Sequence, residues 1–418
     1  MAYRFTYAVW EFTLQCNLGC VHCGSRAASP RSSELSTTEA LDLVRQLYDA
    51  GIREVTLIGG EAYLRSDWLT VVEAIGKAGM ACTLTTGGYG ISAAAARGMR
   101  QAGLQQVSVS IDGCQPTHDL LRGKSGAWSA AFDSLRHLRA AGIPVTCNSQ
   151  INRLSAPELP LIYADIVEAG CRAWQLQLTV PMGRAADRPE ILLQPSELLD
   201  VFPLLNQLAV WARRDGLLLF PGNNIGYYGP YEHRLRNAQG GNAIWEGCQA
   251  GINTLGIEAD GTIKGCPSLP TLAYSGGNIR EHSLAEILAQ APALAINEGQ
   301  GTPAAAEHLW GFCRTCDYAE LCRGGCSWTA HVFFGRRGNN PYCHHRALVH
   351  AREGTRERLV LETPAPGEPF DHGIFGLIEE PANAPWPAGD AHRFSAASIR
   401  WTPAAPAPAP VTLLPVLR

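Results

Sequence analysis

The stretch YAVWEFTLQCNLGCVHC, residues 7–23, decides the fold. Residues 8–14 form an apolar run broken by Glu11 and read as a strand. The chain then enters a loop that spaces Cys16, Cys20 and Cys23 as C-x3-C-x2-C. Beyond it, Ser36 with Glu39 three residues on is a capping box, and Gly51 stands just past the last apolar position as a helix stop. Leu41, Val44, Leu47 and Tyr48 supply that helix's apolar stripe.

The same alternation runs on to about residue 220. Further strands are expected at 54–58, 81–85, 106–111, 144–150 and 173–180, each followed by a helical stretch. Six repeated strand–helix units imply a parallel sheet with right-handed crossovers. Six are too few for a closed eightfold barrel. The expected class is therefore α/β, an open partial (β/α)6 barrel over residues 1–220.

The rest of the 418 residues differ in character. Residues 221–245 read as a linker. Residues 246–352 are rich in Gly and Cys, as in a small domain held together by bound metal. Residues 353–418 read as a Pro/Ala-rich, partly disordered tail, with 402–418 extended. Charged residues are 17% of the chain, against about 25% in an average domain. A net charge of −4 and a pI near 6.3 argue against a nucleic-acid binder. Fourteen cysteines in a chain this long point to metal binding rather than a disulfide scaffold. No signal peptide or membrane-spanning run is visible, so a cytoplasmic, reducing setting is expected.

Three thiolates on one loop can hold three corners of a cubane cluster and leave one iron open. Zinc with a distant fourth ligand is the alternative on spacing alone. Gly59–Gly60–Glu61 follows the second strand, where a carboxylate beside glycines can receive an ammonium group. After the fourth strand come Ser110, Asp112, His118 and Arg122, and an Arg there can pair with a carboxylate. All lie at carboxyl ends of strands, where open α/β folds build their sites.

On these motifs the chain resembles the radical S-adenosylmethionine (SAM) enzymes over about residues 5–220. The resemblance implies that Cys16, Cys20 and Cys23 hold a 4Fe-4S cluster, with His22 at a position usually aromatic. It implies that Gly59, Gly60 and Glu61 bind the SAM amino group, with Ala62 replacing the usual proline, and that Ser110 and Arg122 bind its carboxylate. Asp112 and Asn152 join the SAM set. Such enzymes reduce SAM, release methionine and use a 5′-deoxyadenosyl radical to abstract a substrate hydrogen.

Seven further cysteines follow as C-x17-C, C-x2-C-x5-C-x3-C and a last Cys. They resemble the SPASM extension of radical SAM peptide maturases. The resemblance implies two auxiliary 4Fe-4S clusters, hence three in all. Cys248, Cys266 and Cys326 would hold the first, with one iron open, and Cys313, Cys316, Cys322 and Cys343 the second. Structural zinc sites are the alternative.

Other residues carry weaker expectations. Cys82, Cys147 and Cys171 read as core. Cys114 is a candidate hydrogen-atom donor, though packing is favoured. Glu11 is a candidate acid/base or substrate-contacting group, or else a solvated edge residue. Gln150, Gln175 and Gln177 sit on late strands near the expected substrate, and Thr85, Thr86 and Gly87 at the same mouth. His344 and His345 are assigned to the surface.

Local wording around residues 8–14, 23–27 and 58–65 is most similar to maturases acting on precursors with nitrogen-fixation-protein-like leaders, among them tyramine-excising spliceases. The expected function is radical modification of a precursor peptide, with splicing to an α-keto-β-amino amide as the specific reading. Crosslinking, epimerisation, sulfatase-type formylglycine formation and a non-enzymatic Cys-rich module are the alternatives. Expected partners are the precursor, a separate small leader-recognition protein (no room for one precedes Tyr7), and a flavodoxin or ferredoxin as electron donor.

Overall fold

The computed structural model describes residues 5–237, 243–298, 303–387 and 393–401. Six strands lie where the alternation places them: β1 Tyr7–Thr13, β2 Glu54–Gly59, β3 Ala81–Thr86, β4 Gln106–Ser110, β5 Val145–Ile151 and β6 Ala173–Leu178. Between them run helices α1 Thr37–Asp49, α2 Trp68–Lys77, α3 Ala93–Gln101, α4 Gln115–Arg122, α5 Ala127–Ala140 and α6 Leu159–Glu168. All neighbouring pairs from β1 to β6 are parallel.

Period-2 alternation divides each strand between two environments. On β6, Trp174, Leu176 and Leu178 are buried against the helices, so Gln175 and Gln177 face the opposite, barrel-interior side. Cys82, Cys147 and Cys171 lie in the main apolar core, as expected. Helix α1 starts at the Ser36–Glu39 capping box. Its buried stripe is Ala40, Leu43, Val44 and Leu47, at i, i+3, i+4 and i+7. The expected stripe was rotated from this one: Leu41 is only partly buried and Tyr48 is 48% exposed.

Three features depart from the linear reading. A seventh strand, β7 Leu218–Pro221, follows α7 Leu198–Asp215 and pairs parallel with β6. At four residues it is too short to show a period. Second, the Cys-rich region is not a separate body. Its β8 Thr254–Ile257 pairs parallel with the free side of β1, and β9 Thr262–Lys264 and β10 Ser275–Asn278 extend the same sheet. The sheet thus has ten strands in the order β10-β9-β8-β1-β2-β3-β4-β5-β6-β7. The expected linker at 221–245 also contributes buried Asn224 and Tyr227. The Asn224 amide accepts from the Leu178 N–H and donates to the Leu178 carbonyl, so its side chain mimics a strand partner for β6.

Third, the expected tail is ordered well past residue 353. A hairpin of β11 Thr355–Thr363 and β12 Ile374–Pro381 forms there. Its connecting loop returns to the barrel, where Asp371 accepts from Arg26 Nε at 2.8 Å and from the Gly183 N–H at 2.8 Å. Phe394 is buried and donates its N–H to Glu197 at 2.9 Å. The stretch 402–418 lies outside the described residues. Among the described residues no helix is long and apolar enough to cross a membrane.

Candidate active site

A cavity of about 490 Å³ opens at the carboxyl ends of the parallel strands. Cys16, Cys20 and Cys23 line one part of it. Their loop is tied down by backbone bonds from Gly19 to Arg122 at 3.0 Å and from Val21 to Leu121 at 2.9 Å. Arg184 reaches in from residues after β6 and donates to the carbonyls of Cys20 at 2.7 Å and Ala27 at 3.2 Å. The Leu18 and Ala27 N–H groups point at the sulfurs of Cys16 and Cys23, each at 3.4 Å. Burial pushes the Cys16 thiol up to about 12 and raises Cys20 as well. Such thiols ionise when a cation takes the place of their protons.

Gly59, Gly60 and Glu61 line the same space. Gly59 has φ +140°, and a Cβ there would run into the Thr13 carbonyl, so the strand end can pass this close only without a side chain. Glu61 is fully enclosed. It accepts from the Gly87 N–H at 2.7 Å and from the Thr86 hydroxyl, and burial pushes its carboxyl up to about 7. A cationic group arriving in the cavity would restore its charge.

Ser110, Asp112 and Arg122 also line the cavity. Asp112 is completely buried and meets Arg122 Nη2 at 2.5 Å and His22 Nε2 at 3.1 Å. It also accepts from the Gln150 N–H at 2.8 Å. Burial alone would raise the Asp112 carboxyl, but Arg122 and His22 beside it hold it below the usual carboxylate range. Arg122 Nη1 lies 3.7 Å from the Cys20 sulfur, and its Nε has no partner among the described residues. His118 stands behind this group. Its Nδ1 accepts the Asp112 N–H at 3.1 Å, and burial pushes the ring down to about 3, so a neutral imidazole fixes the turn.

The cavity's other end belongs to the Cys-rich region. Cys248, Cys266 and Cys326 line it. Cys313, Cys316 and Cys343 gather around Cys322 and do not line the cavity. The structure therefore divides the seven cysteines three and four. Among the described residues no three His, Cys, Asp or Glu side chains close around a single ion. A donor set of sulfurs held by different loop segments suits a larger polynuclear group gripped from its corners.

Three sequence expectations, and the less favoured reading of Cys114, do not fit this geometry. Glu11 is buried outside the cavity lining, where Arg31 Nη2 meets it at 3.4 Å. Arg31 also pairs with Glu258 at 2.9 Å and Asp260 at 3.2 Å, and Lys264 pairs with Glu258 at 2.7 Å. Glu11 thus belongs to a buried ionic cluster between β1 and the β8–β9 hairpin. Cys114 is the N-cap residue of α4, with its N–H on Glu158 at 2.7 Å, and does not line the cavity. Asn152 is buried as a turn former, its Oδ1 accepting from the Leu154 and Ser155 N–H groups at 2.9 and 3.1 Å. His344 is buried rather than at the surface, stacked on Phe202 with ring centroids 4.3 Å apart. Gln150, Gln175, Gln177, Thr85, Thr86 and Gly87 do line the cavity. The linear reading missed Asn148, Asn223, Asn224 and Arg184. The Asn223–Asn224 doublet after a short apolar run was the one available signal.

Two family models match the chain: the radical SAM superfamily over residues 10–152, and the SPASM iron–sulfur cluster-binding domain over residues 248–317. The chain carries a radical SAM domain followed by a SPASM domain. It is a radical SAM enzyme, and SAM and iron–sulfur clusters are the cofactors of these two domains. Among curated proteins it is 29% identical over 348 residues to the AdoMet-dependent heme synthase of Methanosarcina barkeri, covering 81% of this chain and 95% of that one. It is 25% identical over 360 residues to the PqqA peptide cyclase of Rhizobium meliloti, covering 84% and 88%. Among solved structures, Streptococcus suis SuiB bound to S-adenosylmethionine superposes with a TM-score of 0.59 at 14% identity, covering 81% of this chain and 76% of SuiB. Native anSMEcpe with bound AdoMet gives 0.61 at 16% identity, covering 82% and 95%. At these identities the radical SAM and SPASM fold is what is shared.

Proposed function

We propose that this radical SAM enzyme modifies a ribosomally made precursor peptide, and that the specific reaction is excision of a tyrosine-derived tyramine unit to leave an α-keto-β-amino amide. The observation that carries the peptide reading is the wall of the cavity. Between the two sets of thiols it presents the amides of Asn148, Gln150, Gln175, Gln177, Asn223 and Gln249. An amide both donates and accepts, as a peptide group does, so such a wall can match an extended main chain without charge. The likeness to the PqqA peptide cyclase supports the same reading.

The residue roles follow from position. Cys16, Cys20 and Cys23 hold the SAM-binding cluster. Glu61, with the backbone at Gly59 and Gly60, receives the SAM ammonium, and Ser110 with Arg122 receives its carboxylate. Cys248, Cys266 and Cys326 hold a first auxiliary cluster, and Cys313, Cys316, Cys322 and Cys343 a second, three clusters in all. When bound, these groups supply one-electron, hydrogen-abstracting chemistry. The chain's own residues orient the reactants: Asp112 steers Arg122, Thr86 and Gly87 fix Glu61, and Arg184 straps the Cys loop.

A second reading is chemistry on a porphyrin, favoured by the 29% identity that spans 95% of the Methanosarcina barkeri heme synthase. A porphyrin bearing carboxylate side chains needs free cations. In this cavity Arg122 is assigned to the SAM carboxylate, and Arg184 is engaged by the Cys20 and Ala27 carbonyls. Mass spectrometry of a precursor peptide co-expressed with the enzyme tests the proposal. Loss of one tyramine unit is the expected result. Loss of two hydrogens means crosslinking, and an unchanged mass leaves epimerisation. An untouched peptide together with a changed mass of an added iron porphyrin would replace the peptide reading with the second one.

A further inference from the structure

A second, open cavity of about 430 Å³ lies on the SPASM domain, apart from the active-site cavity. Its walls include Tyr274, His308, Trp310, His331, Arg336 and Arg337, with Glu307 as the acidic residue of the lining. Arg336 is exposed and lies over the Trp310 ring, 3.9 Å from its centroid. Trp310 in turn donates its indole N–H to the Arg337 carbonyl at 2.9 Å. Arg337 is half-buried and donates to the Asn297 side-chain oxygen at 2.9 Å. Neither guanidinium is neutralised by a carboxylate among the described residues. Arg323, just inside, donates to the carbonyls of Asn297 at 3.3 Å and of Glu246. The protein as a whole carries a net charge of −4, so this concentration of uncompensated cations is local.

The groove has a short route inward. Tyr274 forms part of its wall, and its hydroxyl meets His331 Nδ1 at 3.0 Å. The same Tyr274 packs in a buried cluster with Cys248, Trp245 and Leu269. Tyr274 thus belongs both to the groove wall and to the buried cluster that contains Cys248, a cysteine of the active-site cavity.

We propose that this groove docks an acidic one-electron carrier protein and is the entry point for the reducing electron. The inference rests on the reading that Cys248, Cys266 and Cys326 hold an auxiliary cluster. In the step, the carrier is oxidised by one electron and the group at Cys248 is reduced by one; no bond or proton is exchanged. Cations facing an acidic partner speed encounter and fix its orientation. Arg336 stacked on Trp310 offers a preset, planar charge for a carboxylate of that partner.

The test uses the anaerobic holoenzyme, a reduced acidic flavodoxin as probe and dithionite as the small-molecule reductant. Two quantities are measured: the Kd for flavodoxin, and the rate of 5′-deoxyadenosine formation with each reductant. Arg336→Glu is expected to weaken flavodoxin binding and raise its half-saturating concentration about tenfold. The dithionite-driven rate should stay within about twofold, and added salt should weaken wild-type binding but affect the variant little. Arg45→Glu, on exposed α1, serves as control and should leave both readouts unchanged. Unaltered flavodoxin affinity in Arg336→Glu, or an equal loss with dithionite, overturns the proposal. Weakened precursor-peptide binding with normal flavodoxin binding also overturns it and assigns the groove to the peptide. Wild-type enzyme that forms no 5′-deoxyadenosine with dithionite would refute the cluster reading instead, and the Kd series would still judge the groove.

Discussion

Glu11 is the residue on which linear and spatial readings differ most, and replacing it separates them. In the sequence it is a lone carboxylate in an apolar strand beside the cysteine loop. In the structure burial pushes its carboxyl from 4.5 up to about 8, with Arg31 pulling down and Glu258 pushing up. The folded state therefore binds more protons than the unfolded state between those two values. Stability contributed by this group is present below pH 4.5 and is lost as the pH rises to about 8. At about 1.36 kcal/mol per pH unit, the full cost above pH 8 is ~5 kcal/mol, an upper bound. Glu11→Gln keeps the shape and has no proton to lose. Arg31 retains Glu258 and Asp260, so no cation is stranded. The variant should thus be more stable than wild type at pH 9, and within about 1 kcal/mol of it near pH 5. At roughly 2.1 cal/mol/K per residue, ~5 kcal/mol moves the Tm of a chain this long by at most ~6 °C. Anaerobic thermal unfolding from pH 5 to 9 measures this, and dithionite-driven 5′-deoxyadenosine formation should stay within about twofold of wild type. A Tm difference independent of pH refutes the burial argument. Activity lost with normal folding restores Glu11 to the chemistry.

Three other outcomes are expected. Gly59→Ala forces a side chain to φ +140° against the Thr13 carbonyl and should cost ~2 kcal/mol or more, seen as a lower Tm or loss of folded protein. Glu61→Gln removes a charge-assisted contact, so SAM binding by equilibrium dialysis should weaken about tenfold or more while iron content holds. Cys326→Ala and Cys343→Ala should each remove about one cluster's iron and sulfide, and the double variant about two; a double variant no worse than either single one contradicts the division into two auxiliary sites.

The sequence exposed everything that depends on short spacing. The Cys16–Cys23 loop, the Gly59–Glu61 turn and the α1 capping box each span a few residues, and local geometry places them wherever the strand order leads. Gln175 and Gln177 were legible for the same reason, since alternation puts them opposite Trp174 and Leu176. Asn152 was misplaced because position at a strand end does not say which way a side chain turns. Asn152 spends its amide oxygen on its own turn. His344 looked like a surface residue because nothing local marks the Phe202 ring that stacks on it.

By itself the sequence determined the order of the first six strands and their helices, the three-cysteine loop, and the number of further cysteines. These follow from periodicity and from spacings within one turn or one loop. Only the tertiary structure decided that β8 lies beside β1. That pairing joins residues about 250 positions apart, and no local pattern records it. It carries Cys248 and Cys266 to the cavity of Cys16, Cys20 and Cys23, and it brings Lys264 and Glu258 over Glu11. One nonlocal strand pairing thus builds the two-ended cavity and withdraws Glu11 from it, because a strand's alternation dictates which face a side chain takes but not what will be packed against that face.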